Sequence, residues 1–339
     1  METKGYSDKS NKNSSTDKVF DKKIKILAEK IKLLKKEVAK AVVGQDGVVN
    51  SLIRALICNG HVLVEGVPGV AKTFVIKCLG IASGCEVKRV QFTVDLLPTD
   101  ITGQTIYREG KGFELIKGPV FANFLIADEI NRSPPKTQSA LLEAMQEKQV
   151  TVGKETLALP KPFFVMATQN PLEQAGVYTL PEAQVDRFIF KIIMGYPDKE
   201  QERLILRQNT DVNRFESFNL KKVISTKDIL EMQELVKNIF ISKEIEEYII
   251  EIVSSTRNKN SKQGKYIEWG ASPRASISLF MASRAEALMN GRDFVIPQDV
   301  KKIAHDVLRH RILLNYEAEA DNINSDNVID EILNEIKVP

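Results

Sequence analysis

The sequence predicts an α/β fold: a parallel five-stranded sheet sandwiched by helices, followed by a smaller all-helical domain. Three observations carry this. Five short apolar runs alternate with helical patterns from about residue 44 to residue 194. A glycine-rich loop follows the first run and opens a helix. Beyond Tyr196-Pro197 every periodic segment reads as helix. A length of 339 residues suits two domains better than one. With 43% hydrophobic and 27% charged residues, a wholly disordered or fibrous chain is excluded.

In chain order, residues 1–20 are rich in Ser, Asn, Lys and Asp and are expected to form a disordered tail. Ile24, Leu27, Ile31, Leu34, Val38 and Ala41 then recur every three or four residues, the stripe of an amphipathic helix. Lysines fill its other faces, read as a solvated surface or as a surface for an anionic partner. The strands are 61–65 (HVLVE), 88–92 (KRVQF), 123–127 (NFLIA), 162–168 (PFFVMAT) and 188–194 (FIFKIIM). Helical patterns lie near 48–59, 72–82 and 134–147, and such alternation implies crossover connections and a parallel sheet. Two excursions interrupt it: 92–121, expected to be β-rich, and 149–159, a hairpin around Gly153-Lys154. After Pro197, helices are expected at 198–210, 226–239, 243–256, 273–290, 297–310 and 327–337.

Several function classes fall away. The net charge of +3 comes from the first 40 residues, which contribute +6; residues 41–339 sum to −3, so a nucleic-acid-binding body is not indicated. Cys58, Cys78 and Cys85 show no CxxC spacing, and His61, His305 and His310 are scattered, so no transition-metal site is expected. No apolar run approaches the roughly 18 residues of a membrane-spanning helix. Met1 to Phe20 lacks the apolar core of a signal peptide, and a cytoplasmic location is expected.

Chemistry concentrates in five places. The first is Gly66-Val67-Pro68-Gly69-Val70-Ala71-Lys72-Thr73, running into Phe74. Successive backbone N–H groups in such a loop can face phosphate oxygens, and the helix N-terminus adds positive charge. Lys72 can reach the β- and γ-phosphates, and the Thr73 hydroxyl can ligate Mg²⁺. Ala71 stands where the usual pattern has glycine; alanine is tolerable there if the residue holds right-handed helical dihedrals, since only positive φ demands glycine. A plain glycine-rich turn is the alternative. The second is Asp128-Glu129, ending a buried strand at the ligand-facing edge of a parallel sheet. Asp128 suits the Mg²⁺ shell and Glu129 the polarisation of an attacking water. The third is Asn170, an amide at the next strand end that can orient water and the γ-phosphate, though Asn before Pro is also a common turn former. The fourth is Arg187, just before the last strand, read as a γ-phosphate contact across a subunit boundary or as half of a local Asp186–Arg187 pair. The fifth is Arg274, in the first turn of a helix capped by Ser272, where a cation is unfavourable unless a phosphate partners it.

The order and context of these elements resemble the AAA+ ATPases, and in detail the MoxR family. The resemblance rests on GVPGVAKT, on the block from Asp128 to Gly153, on ATQNP and on LPEAQVDRF, and it runs from about Ile24 to Arg311. It implies a P-loop nucleotide-binding domain over 21–197, with 92–121 and 149–159 as insertions, and a helical lid over 198–339. It implies ATP and Mg²⁺ as ligands, with Lys72 and Thr73 at the Walker A positions and Asp128 and Glu129 at Walker B. By the same likeness Asn170 is sensor 1, Arg187 the arginine finger with Arg132 as a second candidate, and Arg274 sensor 2. Val42, Val43, Gly44 and Gln45 match the segment that contacts adenine. The resemblance further implies a homo-oligomeric ring, a hexamer, acting as a chaperone-like assembly factor. Its client would be a partner protein, with von Willebrand factor A-type proteins among the associates of this family. The insertions would face a pore or a client, or would merely cover the sheet. A nucleic-acid motor, a metal-chelatase motor subunit and a non-hydrolysing switch are the competing readings; Glu129 beside Asp128 disfavours the switch.

Overall fold

The computed structural model describes residues 14–171, 178–208 and 218–339. Helix α1 (Ser14–Val38) buries Ile24, Leu27, Ile31, Leu34 and Val38, as their spacing requires. It begins earlier than expected: Ser14 to Phe20, expected in a disordered tail, is helical. Phe20 lies one turn before Ile24 on the same face and packs against the same core, which extends the stripe. The rest of the expected tail, residues 1–13, lies outside the described residues.

Alternation then follows: α2 (Asp46–Ile57), β1 (Val62–Gly66), α3 (Lys72–Ser83) and β2 (Val87–Gln91). The excursion after β2 is a short helix α4 (Pro98–Thr102) and a hairpin, β3 (Gly103–Arg108) with β4 (Gly112–Lys117). Next come β5 (Phe124–Asp128), α5 (Pro135–Glu147), and a second hairpin of β6 (Gln149–Val152) and β7 (Glu155–Ala158). β8 (Phe164–Gln169), the single turn α6 (Glu182–Val185) and β9 (Phe190–Met194) complete this part.

The five long strands form one parallel sheet in the order β2-β5-β8-β1-β9. Alternate side chains bury to opposite faces, as the two-residue strand period demands. Leu63, Leu125, Ala127, Val165 and Ala167 join Leu141, Leu142 and Met145 of α5. Val62, Val64, Phe124, Ile126, Phe164 and Met166 join the core that continues through α1, α2, α3 and the C-terminal helices. Both faces are covered, which accounts for the nearly continuous apolar runs.

The C-terminal part holds α7 (Lys199–Gln208), α8 (Thr226–Leu235), α9 (Lys243–Ser255), β10 (Ile267–Trp269), α10 (Pro273–Met289), α11 (Pro297–Leu308), β11 (Leu313–Leu314), α12 (Tyr316–Ala320) and α13 (Ser325–Glu335). Residues 209–210 of the helix expected at 198–210 lie outside the described residues. The expected helices are joined by a small ribbon, β10 paired antiparallel with β11. α10 packs against α1 and α2, so the C-terminal helices and the sheet share a continuous apolar interior. Among the described residues no helix is long and apolar enough to cross a membrane.

Candidate nucleotide site

β1 gives way to the glycine-rich loop at Gly66, where the neighbouring strand presses close. A Cβ there would stand 2.6 Å from the Met194 carbonyl oxygen. Gly69 adopts φ +85°, a conformation only glycine takes freely. Ala71 corrects the sequence reading: it sits at φ 61°, ψ 28°, in the left-handed region. It is the residue just outside α3, its carbonyl accepting from the N–H groups of Phe74 (3.0 Å) and Val75 (3.2 Å), and the loop reverses there. An alanine so placed costs on the order of 1 kcal/mol relative to glycine.

Lys72, first residue of α3, reaches back over the loop. Its Nζ donates to the Gly66 carbonyl at 2.6 Å and lies 3.4 Å from the Gln169 carbonyl, spanning the ends of β1 and β8. The Thr73 hydroxyl points to Asp128 Oδ2 at 3.3 Å. Phe74 meets Phe218 edge to face, ring centroids 5.7 Å apart. Val42 lies in the buried cluster that holds Val70 and Val75, with Val67 and Phe74 packed on it. Gly44, at φ +72°, faces the Gln201 side chain of α7, so that helix closes over the Val42–Gln45 segment. Pro68 and Val43 complete the two stretches without a polar side chain to offer.

At the end of β5, Asp128 is buried and its two carboxylate oxygens have separate partners. Oδ1 accepts the Thr168 hydroxyl at 2.5 Å. Oδ2 accepts Arg89 Nη2 at 2.7 Å and Nε at 3.0 Å. Burial alone would raise this carboxyl, but hydrogen bonds from Thr168 and Arg89 and the Arg89 charge outweigh it, so Asp128 stays below its ordinary value. Glu129 holds φ 55°, ψ 52°, a second left-handed residue in the site. Its N–H donates to the Thr168 hydroxyl at 2.9 Å, and its Oε2 accepts Gln91 Nε2 at 2.6 Å and Arg132 Nη1 at 3.2 Å. Asn170, one residue beyond β8, is buried at the same edge of the sheet.

Thr168, Arg89 and Gln91 did not stand out in the sequence. The signal available was slight: Arg89 and Gln91 occupy alternate positions of an edge strand, hence one face of it.

Thr73 and Asp128 offer hard oxygens side by side, and among the described residues no group of three or more His, Cys, Asp or Glu surrounds a metal. Such a pair fits Mg²⁺, which takes one or two protein oxygens and completes its octahedron with phosphates and water.

Arg187 and Arg274 lie elsewhere. Both are exposed and line a cavity of about 320 Å³ with His61, Met145, Asp186, Ile277 and Arg311. His61 precedes β1 and Arg187 precedes β9, so this cavity borders the N-terminal strand ends, whereas the glycine-rich loop leaves the C-terminal end of β1. At about 3.3 Å per residue, strands of this length separate the two edges by roughly 15 Å. The two arginines therefore do not join Lys72 around one phosphate of their own chain. Asp186 does not pair with Arg187; it accepts Arg311 Nε at 2.7 Å and the Ser272 hydroxyl at 2.8 Å, which removes the local-pair alternative.

Strand order, loop and acidic strand end together define an AAA+ ATPase followed by its lid. Residues 61–190 match the family described as the ATPase family associated with various cellular activities (AAA), and residues 260–332 match the AAA lid domain. Chaperone MoxR1 of Mycobacterium tuberculosis is 48% identical over 310 residues, covering 89% of this chain and 81% of that protein. Protein MoxR of Methylorubrum extorquens is 29% identical over 82% of this chain and 86% of its own length. A crystal structure from Cytophaga hutchinsonii, provisionally described as an ATPase, superposes with a TM-score of 0.88 at 46% identity, over 96% of this chain and 100% of that one. The chain belongs to the MoxR family of AAA+ ATPases.

Proposed function

We propose that this ATPase works with Mg²⁺ as a ring of identical subunits, a hexamer, in the cytoplasm, and that its cycle remodels or assembles partner proteins. Residues 21–197 form the nucleotide-binding unit in this reading and 198–339 the lid. The observation that carries it is the division of polar groups between the two edges of the sheet. Lys72, Thr73, Asp128, Glu129 and Asn170 cluster at one edge, while Arg187 and Arg274 share a cavity at the other. A pocket complete only when one subunit's second edge meets its neighbour's first edge requires an oligomer.

Each side chain then has a role set by its position. Lys72 neutralises the β- and γ-phosphates as α3 points its free N–H groups at them. Thr73 and Asp128 would hold Mg²⁺, which would offset the negative charge of the phosphates. Glu129 leaves Gln91 and Arg132, takes a proton from the attacking water, and Asn170 orients that water. Arg187 and Arg274, brought by the neighbour, stabilise charge on the transferring phosphoryl group, a contribution worth 10³–10⁵ in rate for such fingers. Arg132 lies on Glu129 of its own chain at 3.2 Å, so Arg187 is the better candidate for action in trans. A chaperone role is favoured by the name of the Mycobacterium tuberculosis relative, Chaperone MoxR1.

The test separates binding from turnover. Lys72→Ala should lose ATP binding by calorimetry; Glu129→Gln should keep it and lose phosphate release. Turnover per subunit should rise with protein concentration, and Arg187→Ala should flatten the rise. Full hydrolysis by Glu129→Gln would remove that residue as the base. Capture of partners on ATP-loaded Glu129→Gln protein would identify the client.

A further inference from the structure

Arg311 follows α11 and is almost wholly buried; one guanidinium N–H returns to the Val307 carbonyl of α11 at 2.5 Å, and most of the others go to one short stretch of chain. Nε donates to Asp186 Oδ1 at 2.7 Å, Nη2 to the carbonyls of Asp186 at 3.1 Å and Phe188 at 2.7 Å, and Nη1 to that of Ile189 at 3.3 Å. Nη2 also reaches the Ser278 hydroxyl of α10 at 3.3 Å. These bonds bracket Arg187, whose own side chain stays exposed. The second Asp186 oxygen, Oδ2, accepts the Ser272 hydroxyl at 2.8 Å, and Ser272 in turn caps α10 by accepting the Arg274 N–H at 3.2 Å. One carboxylate thus joins the backbone flanking Arg187 to the helix end that carries Arg274. Burial pushes the Arg311 guanidinium below its usual value, the Asp186 contact opposes that, and the Arg274 charge lowers it further, so Arg274 lies within reach of the same field.

We propose that Asp186 and Arg311 are positioning residues for the trans-acting pair, fixing Arg187 and Arg274 at one separation so that both meet a single phosphate group of the neighbouring subunit. The inference rests on the trans reading above. Two arginines on separate elements, one before a sheet strand and one at the start of a lid helix, would otherwise vary in spacing whenever the lid shifts. Preorganised cations stabilise developing charge without reorganising during the reaction, whereas displacement by about 1 Å costs on the order of 100-fold. A merely structural ion pair would affect stability and leave the division between binding and turnover untouched.

The experiment compares Asp186→Ala, Asp186→Asn and Ser272→Ala in the full chain, reading ATP affinity by calorimetry, kcat, melting temperature and subunit mixing. Asp186→Ala is expected to keep ATP affinity and lose on the order of 10- to 100-fold in kcat. Asp186→Asn, which still accepts hydrogen bonds, should recover part of that loss. Ser272→Ala, which cuts only the link to Arg274, should lower kcat less, again at unchanged affinity. If Asp186→Ala does not fold, the other two decide. In mixtures, Asp186→Ala with Lys72→Ala should regain turnover, because the Lys72 variant supplies intact arginines to the intact pocket of the Asp186 variant. Asp186→Ala with Arg187→Ala should not, since both lesions fall on the donor edge. Wild-type kcat in Asp186→Asn and Ser272→Ala, or recovery in the second mixture, overturns the proposal. If Arg187→Ala fails to recover with Lys72→Ala despite confirmed co-assembly, the trans reading itself has failed, and that result is distinct.

Discussion

Arg89 donates two hydrogen bonds to one oxygen of Asp128, at 2.7 and 3.0 Å, and that Oδ2 atom is also the one the Thr73 hydroxyl faces. A cation from the edge strand therefore sits on the carboxylate oxygen that Mg²⁺ would share with Thr73. The two positive groups would compete for it.

Arg89→Ala should lower the Mg²⁺ concentration needed for half-maximal ATP binding. Arg89 is about half exposed, so water screens the pair, and about 1 kcal/mol, a roughly fivefold shift, is the expected size. A titration of Mg²⁺ against nucleotide affinity decides it. A rise in the required Mg²⁺ would mean that Arg89 supports the loaded site rather than competing with it.

Ala71 offers the second prediction. With φ at 61°, Ala71→Gly removes a Cβ from a disfavoured region and should stabilise the protein by about 0.5–1 kcal/mol, a rise of a few degrees at most in melting temperature. Ala71→Val places a branched side chain at positive φ and should destabilise the loop and weaken ATP binding together. Thermal melts with and without nucleotide test both. A lower melting temperature for Ala71→Gly would contradict the left-handed assignment.

What the sequence reveals and hides follows from the range of the interactions involved. Strands and helices were legible because hydrophobic period is local: Leu63 and Val64 face opposite sides whatever the sheet order. Lys72 and Thr73 stand out because a strand, a turn and a helix start are contiguous in sequence, and Asp128 because it ends a separate apolar strand 55 residues after Thr73. Arg89 was not, because its partner lies 39 residues away and becomes adjacent only through the order β2-β5. Arg311 was further out of reach, 125 residues from Asp186. Ala71 misled because alanine is a helix former, and a backbone reversal imposed by a loop leaves no trace in that residue's identity.

His61 gives a pH prediction. Its Nδ1 accepts the Val165 N–H at 3.1 Å, so the proton resides on Nε2, which donates to the Met145 carbonyl at 3.1 Å. The neutral ring is satisfied and the protonated one would set two N–H groups against each other. Burial, which the Met145 hydrogen bond only partly offsets and the Lys148 charge reinforces, lowers its pKa to about 4. Unfolded His61 binds a proton below about 6.5 while folded His61 does not until about 4, so stability falls as pH drops through that window. The contribution is up to about 3 kcal/mol. His61→Gln should flatten the decline in urea midpoint between pH 6.5 and 4; an unchanged slope would locate it in other groups.

The last prediction concerns the buried pair that ties α2 to α10. Glu286 Oε2 accepts Arg54 Nη2 at 2.7 Å and Nε at 2.9 Å, while Oε1 accepts Lys302 Nζ at 2.6 Å and Asn290 Nδ2 at 3.0 Å. Desolvation alone would raise this carboxyl, but Arg54 above all, with Lys302 and Asn290, brings it down to about 2. Its stabilisation is full above the unfolded value near 4.5 and is lost as pH falls from there toward 2, because the unfolded carboxyl takes its proton first. Glu286→Gln should be costly at neutral pH, by about 3–5 kcal/mol, because it leaves the buried Arg54 charge near Lys302 without a counter-charge, with the Ser51 hydroxyl as its remaining neutral partner. Removing both charges, in Arg54→Met with Glu286→Leu, should restore much of that loss, since burying an ion pair costs nearly what its attraction returns. Denaturant melts of the single and double variants at pH 7 measure the difference. A double variant as unstable as Glu286→Gln would show that the charges themselves, and not merely their pairing, hold the lid helix to α2.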